Sequence, residues 1–334
     1  MPYTPFTDVA SMDGPRITVS DYLKDPLRIP ALILDMMQNE FIIDSILRNA
    51  GNNESGAVRF EQSTPLFADH DPDIRAEFAE VRAVQTSVGP LNVAYSFERA
   101  MAITVSDAMR RRQIVDPVNR QLLQVKNSMV RAWNVALFAL FDAVVAANQT
   151  YAIPAGSEWD NTKSYANVTG ASVGNMIRSQ ISDAVYIVEN AVADIQSGTT
   201  PNYFGFEPDT LIINHTAKLA LFKSADFAKP YIGDAATASI QYTGLMPQKV
   251  MNLDVFVSRQ CPIKTAYILQ RNRCGFISDE VPQTASPLYR DEPRKCWRSD
   301  VQRAAALGID QPKAIVRLTN VTATDPFTAV AAEL

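Results

Sequence analysis

The chain has 334 residues, 47% of them hydrophobic, and a net charge of −5. That length allows about two domains, and that apolar content excludes global disorder. No apolar run approaches the ~20 residues that span a bilayer, and the acidic balance excludes a tight general nucleic-acid binder while leaving weak contact open.

The start, MPYTPFTDVASMDGP, has neither the basic residues nor the apolar block of a secretory signal. Residues 1–30 carry Pro2, Pro5, Pro15, Pro26 and Pro30 without helical period, so they read as an extended arm. Residues 31–48 are densely apolar and predict a helix, stopped by the turn cluster Asn49–Gly56. Ala57–Gln62 and Ile74–Gln85 read as strands of a hairpin, the second also readable as a helix. A two-stranded hairpin is barely stable alone in water, so this one needs a partner surface. Its interleaved charges, Arg59, Glu61, Arg75, Glu77, Glu80 and Arg82, suit polar pairing across a subunit contact.

Leu91–Val105 reads as a strand, and Arg110-Arg111-Arg112 as a solvated face. Residues 116–147 then predict one long helix. Asp116 suits the N-cap and Pro117 the first helical position. Val118, Leu122, Val125, Met129, Trp133, Leu137 and Val144 recur at helical spacing. Leu122, Val125, Met129, Trp133 and Leu137 are its packing face. A second helix is expected over Ser172–Ser197, with Gly198 at its end. Beyond it come a buried strand, Thr210–Ile213, and a short helix, Thr216–Lys223. Leu253–Ser258, Ala266–Gln270, Gly275–Ile277, Trp297–Ala305 and Lys313–Val321 read as strands, punctuated by Pro262, Pro282, Pro287 and Pro293. The residues after Val321 read as a tail. Strands do not alternate strictly with helices, so the class is α+β.

Catalytic equipment is sparse. Gly170-Ala171-Ser172-Val173-Gly174 fits the nucleophile-elbow pattern and precedes a helix. The only histidines are His70 and His215, and none follows late in the chain to serve as base. Ser172 reads more simply as a helix N-cap, with a serine hydrolase as the rival. Cys261, Cys274 and Cys296 are odd in number and far apart, which argues against disulfides or a zinc site and for a reducing compartment. The basic cluster Arg290, Arg294, Lys295, Arg298 and Arg303 could meet phosphate, but Asp291, Glu292 and Asp300 beside it predict salt bridges instead. No metal, cofactor or enzymatic activity is indicated. Parts that cannot bury themselves imply other copies of the chain.

The order of these parts resembles the major capsid proteins of tailed bacteriophages with the Hong Kong 97-type fold, most closely those of phages infecting actinobacteria. The resembling stretches are ITVSDYLKDPLRIPALI (Ile17–Ile33), FIIDSILRNAG (Phe41–Gly51), GAVRFEQSTPLFADHD (Gly56–Asp71), VAYSFERAMAITVSDAM (Val93–Met109), the long helix, and KAIVRLTNV. The resemblance implies an N-arm at 1–30, an extended loop at 56–85, a peripheral domain at 31–55 and 86–170 with helix 116–147 as its spine, and an axial domain at 171–290. Residues 291–334 would return to the peripheral domain and end in a tail.

It also implies hexamers and pentamers closing an icosahedral head around double-stranded DNA, in the virion and assembled in the host cytoplasm. The partners it implies are a separate scaffolding protein, a decoration protein and a portal, with weak DNA contact and no membrane. In the type member an extended-loop lysine forms an isopeptide bond with a neighbour's asparagine. Residues 51–90 contain no lysine here, so a shell without such crosslinks is expected. An encapsulin-type compartment is the alternative within the same fold.

Overall fold

The computed structural model describes residues 28–37, 41–63, 74–75, 77–78, 80–81, 83, 89–112, 116–145, 149–160, 173–192, 203–223 and 249–322. Helices α1 (Arg28–Met37) and α2 (Ile42–Ile46) lead into β1 (Arg48–Asn52), β2 (Ala57–Glu61) and β3 (Leu91–Ser106). Then come α3 (Asp107–Arg112), the long α4 (Asp116–Val144), β4 (Thr150–Ala152) and α5 (Val173–Glu189). The remainder is β5 (Thr210–Ile213), α6 (His215–Lys223), β6 (Lys249–Val250), β7 (Leu253–Val257), β8 (Thr265–Leu269), β9 (Phe276–Ala285), β10 (Tyr289–Asp291), β11 (Cys296–Gly308), a 3₁₀ turn and β12 (Ile315–Thr319).

Two sheets form. The first runs β1-β9-β11-β3-β2 with β10 also on β11, and the second runs β4-β12-β8-β5-β7-β6. Helix α4 joins them. Its Leu122, Val125, Met129, Trp133 and Leu137 are buried, at 0–4% exposure. Trp133 stacks on Phe97 of β3 at 5.0 Å. Nearer its C-terminus, Phe138 and Phe141 pack on Tyr267 of β8, and Asp142 accepts a 2.6 Å hydrogen bond from the Tyr267 hydroxyl. A helix of 29 residues is about 44 Å long, and that length lets one element serve both sheets.

Several elements differ from the sequence expectation. The arm expected through residue 30 gives way to α1 at Arg28; Pro30 sits in its first turn, where no intrahelical N–H bond is lost. The helix expected over 31–48 is two shorter ones. The turn cluster after it contains β1, five exposed residues of low strand preference held parallel to β9. Ladder bonds to an open edge override local propensity there.

Strand β2 pairs with none of the described residues of 74–85. It pairs antiparallel with β3, Ala57 opposite Tyr95 and Glu61 opposite Leu91, and the described residues between 74 and 83 form no strand. Helix α5 ends at Glu189, before the expected Ser197, and Val192 then bridges Tyr203. Pro282 lies inside β9. The register passes from Val281↔Ala304 to Thr284↔Gln302, so two β9 residues face one on β11, and the proline occupies a bulge that needs no donor.

The sheets also cut across the expected division of the chain. β9 and β10, placed with 171–290, lie in the first sheet. β12, placed with 291–334, pairs with β8 in the second. Pairing partners far apart in sequence decide this, and no local pattern encodes them.

Candidate assembly surface

The site begins where β2 and β3 diverge. Across that point the Gln62 N–H donates to the Pro90 carbonyl at 3.0 Å, and Asn92 Nδ2 donates to Gln62 Oε1 at 2.8 Å. The Ser63 N–H donates to the Asp310 carbonyl at 2.8 Å, and Glu61 accepts from the Gly89 N–H. A Cβ on Gly89 would collide with the Gln62 carbonyl, so the two legs close only because residue 89 has none. The two legs are therefore clamped together at this root.

Asp310 finishes that root. One carboxylate oxygen meets Arg48 at 3.1 Å while the other is buried without a partner. Burial pushes the Asp310 carboxyl above its ordinary range, partly offset by Arg48.

Beyond the root, Ile74, Phe78 and Val81 are exposed at 104%, 96% and 69%. On β3, alternate residues Leu91, Val93 and Tyr95 are exposed at 68%, 44% and 72%. Farther along the same face, Phe97, Ile103 and Val105 meet α4 or are buried. The apolar face of β3 thus outruns the helix that covers it. Uncovered apolar clusters of this kind mark interaction surfaces. That Leu91–Val105 is a strand was legible, but which half of its apolar face would lack a cover was not.

Of the charged contact candidates, Arg59 lies on β2 opposite Val93 and is exposed, while Glu61 is half-buried at the root. Arg75, Glu77 and Glu80 are exposed on the loop. Arg82 lies outside the described residues, as do His70 and Ser172. His215 opens α6, its pKa lowered by burial and by the cations Arg259 and Lys218; a triad base needs a carboxylate in that place. The thiols of Cys261 and Cys274 are pushed up to about 12 by burial, which leaves them protonated and inert. Among the described residues no group of His, Cys, Asp and Glu could hold a metal, and no helix is long and apolar enough to cross a membrane.

Four of the five residues of the basic cluster are engaged internally, while Lys295 is exposed. Arg290 makes a two-pronged pair with Asp107 at 2.6 and 2.8 Å and also meets Glu292. Arg298 pairs with Asp300 and Arg294 with Asp291. Arg303 is nearly buried. It lies over Trp133 and Phe41 and binds Asp44 on α2 and Asp279 on β9. Burial works against its charge, but hydrogen bonds to the two carboxylates outweigh that and hold its pKa above the ordinary arginine value. This node ties α2, β9, β11 and α4 together. Asp44 and Asp279, unlike Asp291, Glu292 and Asp300, could not be assigned to it by sequence proximity.

The profile of the phage capsid protein family matches residues 93–318. No curated protein matches the chain significantly. Among solved structures, the capsid of cyanophage P-SCSP1u aligns with a TM-score of 0.56 at 10% identity, covering 82% of this chain and 86% of that one. A chain of Mycobacterium phage Bobi aligns at 0.53 and 11% identity, covering 82% and 88%. The SrpI encapsulin of Synechococcus elongatus aligns at 0.51 and 11%, covering 86% and 90%. Likenesses at such low identity establish the fold alone, and that fold is the α+β capsid fold of the Hong Kong 97 type. Because the family profile covers more than half of the sequence, from the exposed face of β3 to the last strand, the chain belongs to the phage capsid protein family.

Proposed function

We propose that the chain is the major shell subunit of a tailed-phage head. It assembles as hexamers and pentamers into an icosahedral shell around double-stranded DNA, in the host cytoplasm, with a separate scaffolding protein, a portal and a decoration protein as partners. The observation that carries this reading is the exposed apolar face of β3 at Leu91, Val93 and Tyr95, with Ile74, Phe78 and Val81 also exposed, in a chain of the capsid family. Such a surface is tolerable on a subunit whose neighbours cover it. Arg59, Glu61, Arg75, Glu77, Glu80 and Arg82 supply the polar rim of that contact.

On this reading the first sheet with the spine α4 is the peripheral unit, the second sheet with α5 and α6 is the axial unit, residues 56–85 are the extended loop, and the residues before α1 are the arm. Without a lysine in residues 51–90, the shell is held without isopeptide bonds from that loop.

The test is negative-stain electron microscopy of gradient-sedimented protein, alone and with its scaffold, with absorbance at two ultraviolet wavelengths to separate nucleic-acid from protein contents. Closed particles, sheets or tubes support the reading. A discrete monomer or dimer that persists with scaffold present would sink it. A ladder of linked subunits after boiling in detergent would contradict the crosslink-free shell. The likeness to an encapsulin keeps a cargo-enclosing compartment as the second reading, and protein contents in place of DNA would favour it.

A further inference from the structure

The long helix carries an asymmetry that packing does not require. From Pro117 to Phe141 it holds no carboxylate, although the chain contains 36 Asp and Glu and has a net charge of −5. The same stretch holds Arg120, Lys126 and Arg131. Arg120, Gln124, Asn127 and Arg131 are exposed, and their spacing of four, three and four puts them on one face. Leu122, Val125, Met129 and Trp133 fill the opposite, buried face. Arg290, Arg298 and Arg303 are each held by carboxylates; Arg120 and Arg131 pair with none among the described side chains. The outer positions of α5 have the opposite character, with Asp183 and Glu189 exposed.

We propose that the solvent face of α4 is the lining that rests on the phosphate backbone of the enclosed nucleic acid, an inference that depends on the shell reading above. Arg120 and Arg131 stand about 16 Å apart along the helix axis, so each guanidinium reaches a different phosphate. Guanidinium geometry matches phosphate oxygens, and the amide groups of Gln124 and Asn127 between them donate further hydrogen bonds. Nothing on this face reads base edges, so contact is independent of sequence. With two such cations per subunit the attraction stays weak, which suits a lining that DNA must slide along during filling and leave on release.

The test uses the full chain and a fluorescently labelled 20-base-pair duplex, with binding followed by anisotropy across a salt series beginning at low ionic strength. The variant is Arg120→Ala with Arg131→Ala. The control, Arg273→Ala with Arg294→Ala, removes equal charge from exposed positions elsewhere. Counterion release predicts that the slope of log affinity against log salt becomes shallower by about 1.8 in the variant and is unchanged in the control. Equal slopes in all three proteins, an equal effect in the control, or no binding by the unmodified chain would each overturn the proposal. Electron microscopy of the same proteins separates the two readings. If the unmodified chain forms shells and the α4 variant does not, the face is a contact between copies and the lining is refuted. If no protein forms shells even with scaffold, the shell reading fails, whatever the duplex assay reports.

Discussion

The two sheets solve the burial problem differently. In the second, β5 is buried along its whole length and β8 along nearly all of it, with β12, β7 and α5 closing around them. Its core is continuous, through α4, with that of the first sheet. In the first, the strands are longer, β1 is exposed throughout, and β3 leaves its apolar face uncovered from Leu91 to Tyr95. Burial is thus nearly complete in the middle of the second sheet and stops short along β3 in the first. Helix α4 belongs to both, which makes the unfinished sheet rigid enough to present a surface.

Breaking that shared element has the largest expected effect. Trp133→Ala empties the contact with Phe97 and removes the ring beneath Arg99 and Arg303. It should cost about 3–5 kcal/mol, seen as a lowered denaturation midpoint with both sheets lost together. Separate unfolding of the first sheet alone would refute the coupling. Arg303→Ala is next, at about 2–3 kcal/mol, because it leaves Asp44 and Asp279 facing each other without their cation. Arg303→Lys should recover only part of this, since a single ammonium cannot reproduce the forked pairing.

The double substitution Val93→Ser and Tyr95→Ser sharpens the comparison from the other side. Both side chains are exposed, so subunit stability should change by less than about 0.5 kcal/mol, while the yield of sedimenting particles falls at least tenfold. Unchanged assembly would mean that this face is not a contact.

The smallest effect concerns the loop root. Burial raises the Asp310 carboxyl above its unfolded value, so the folded state binds that proton more readily. Stability at this residue is therefore gained as pH falls through the raised pKa and lost as pH rises above it. Asp310→Asn should flatten this acid-side gain in a series of melting temperatures across pH. A steeper gain in the variant would reverse the assignment.

Much of the fold was legible in advance because its signals are local. The apolar spacing from Leu122 to Leu137 marked the buried face of α4, and the run at 210–213 marked a buried strand. The salt bridges of Arg290, Arg294 and Arg298 to Glu292, Asp291 and Asp300 could be anticipated from neighbouring charges. The described residues of 74–85 form no strand, although their alternating charge resembles a half-exposed one, and β2 has a longer partner in β3. Pro282 hid the length of β9 because a bulge that tolerates proline exists only once β11 is beside it.

By itself, then, the sequence determined the long helix α4, the strand-rich second half, the poverty of catalytic groups and the acid-free face of α4, since each depends on residues within a few turns or strand steps of one another. Tertiary structure alone decided which strands share a sheet, that Arg303 joins Asp44 to Asp279, and that β3 outruns its covering helix. Those facts depend on contacts between segments up to hundreds of residues apart, and no local periodicity can specify them.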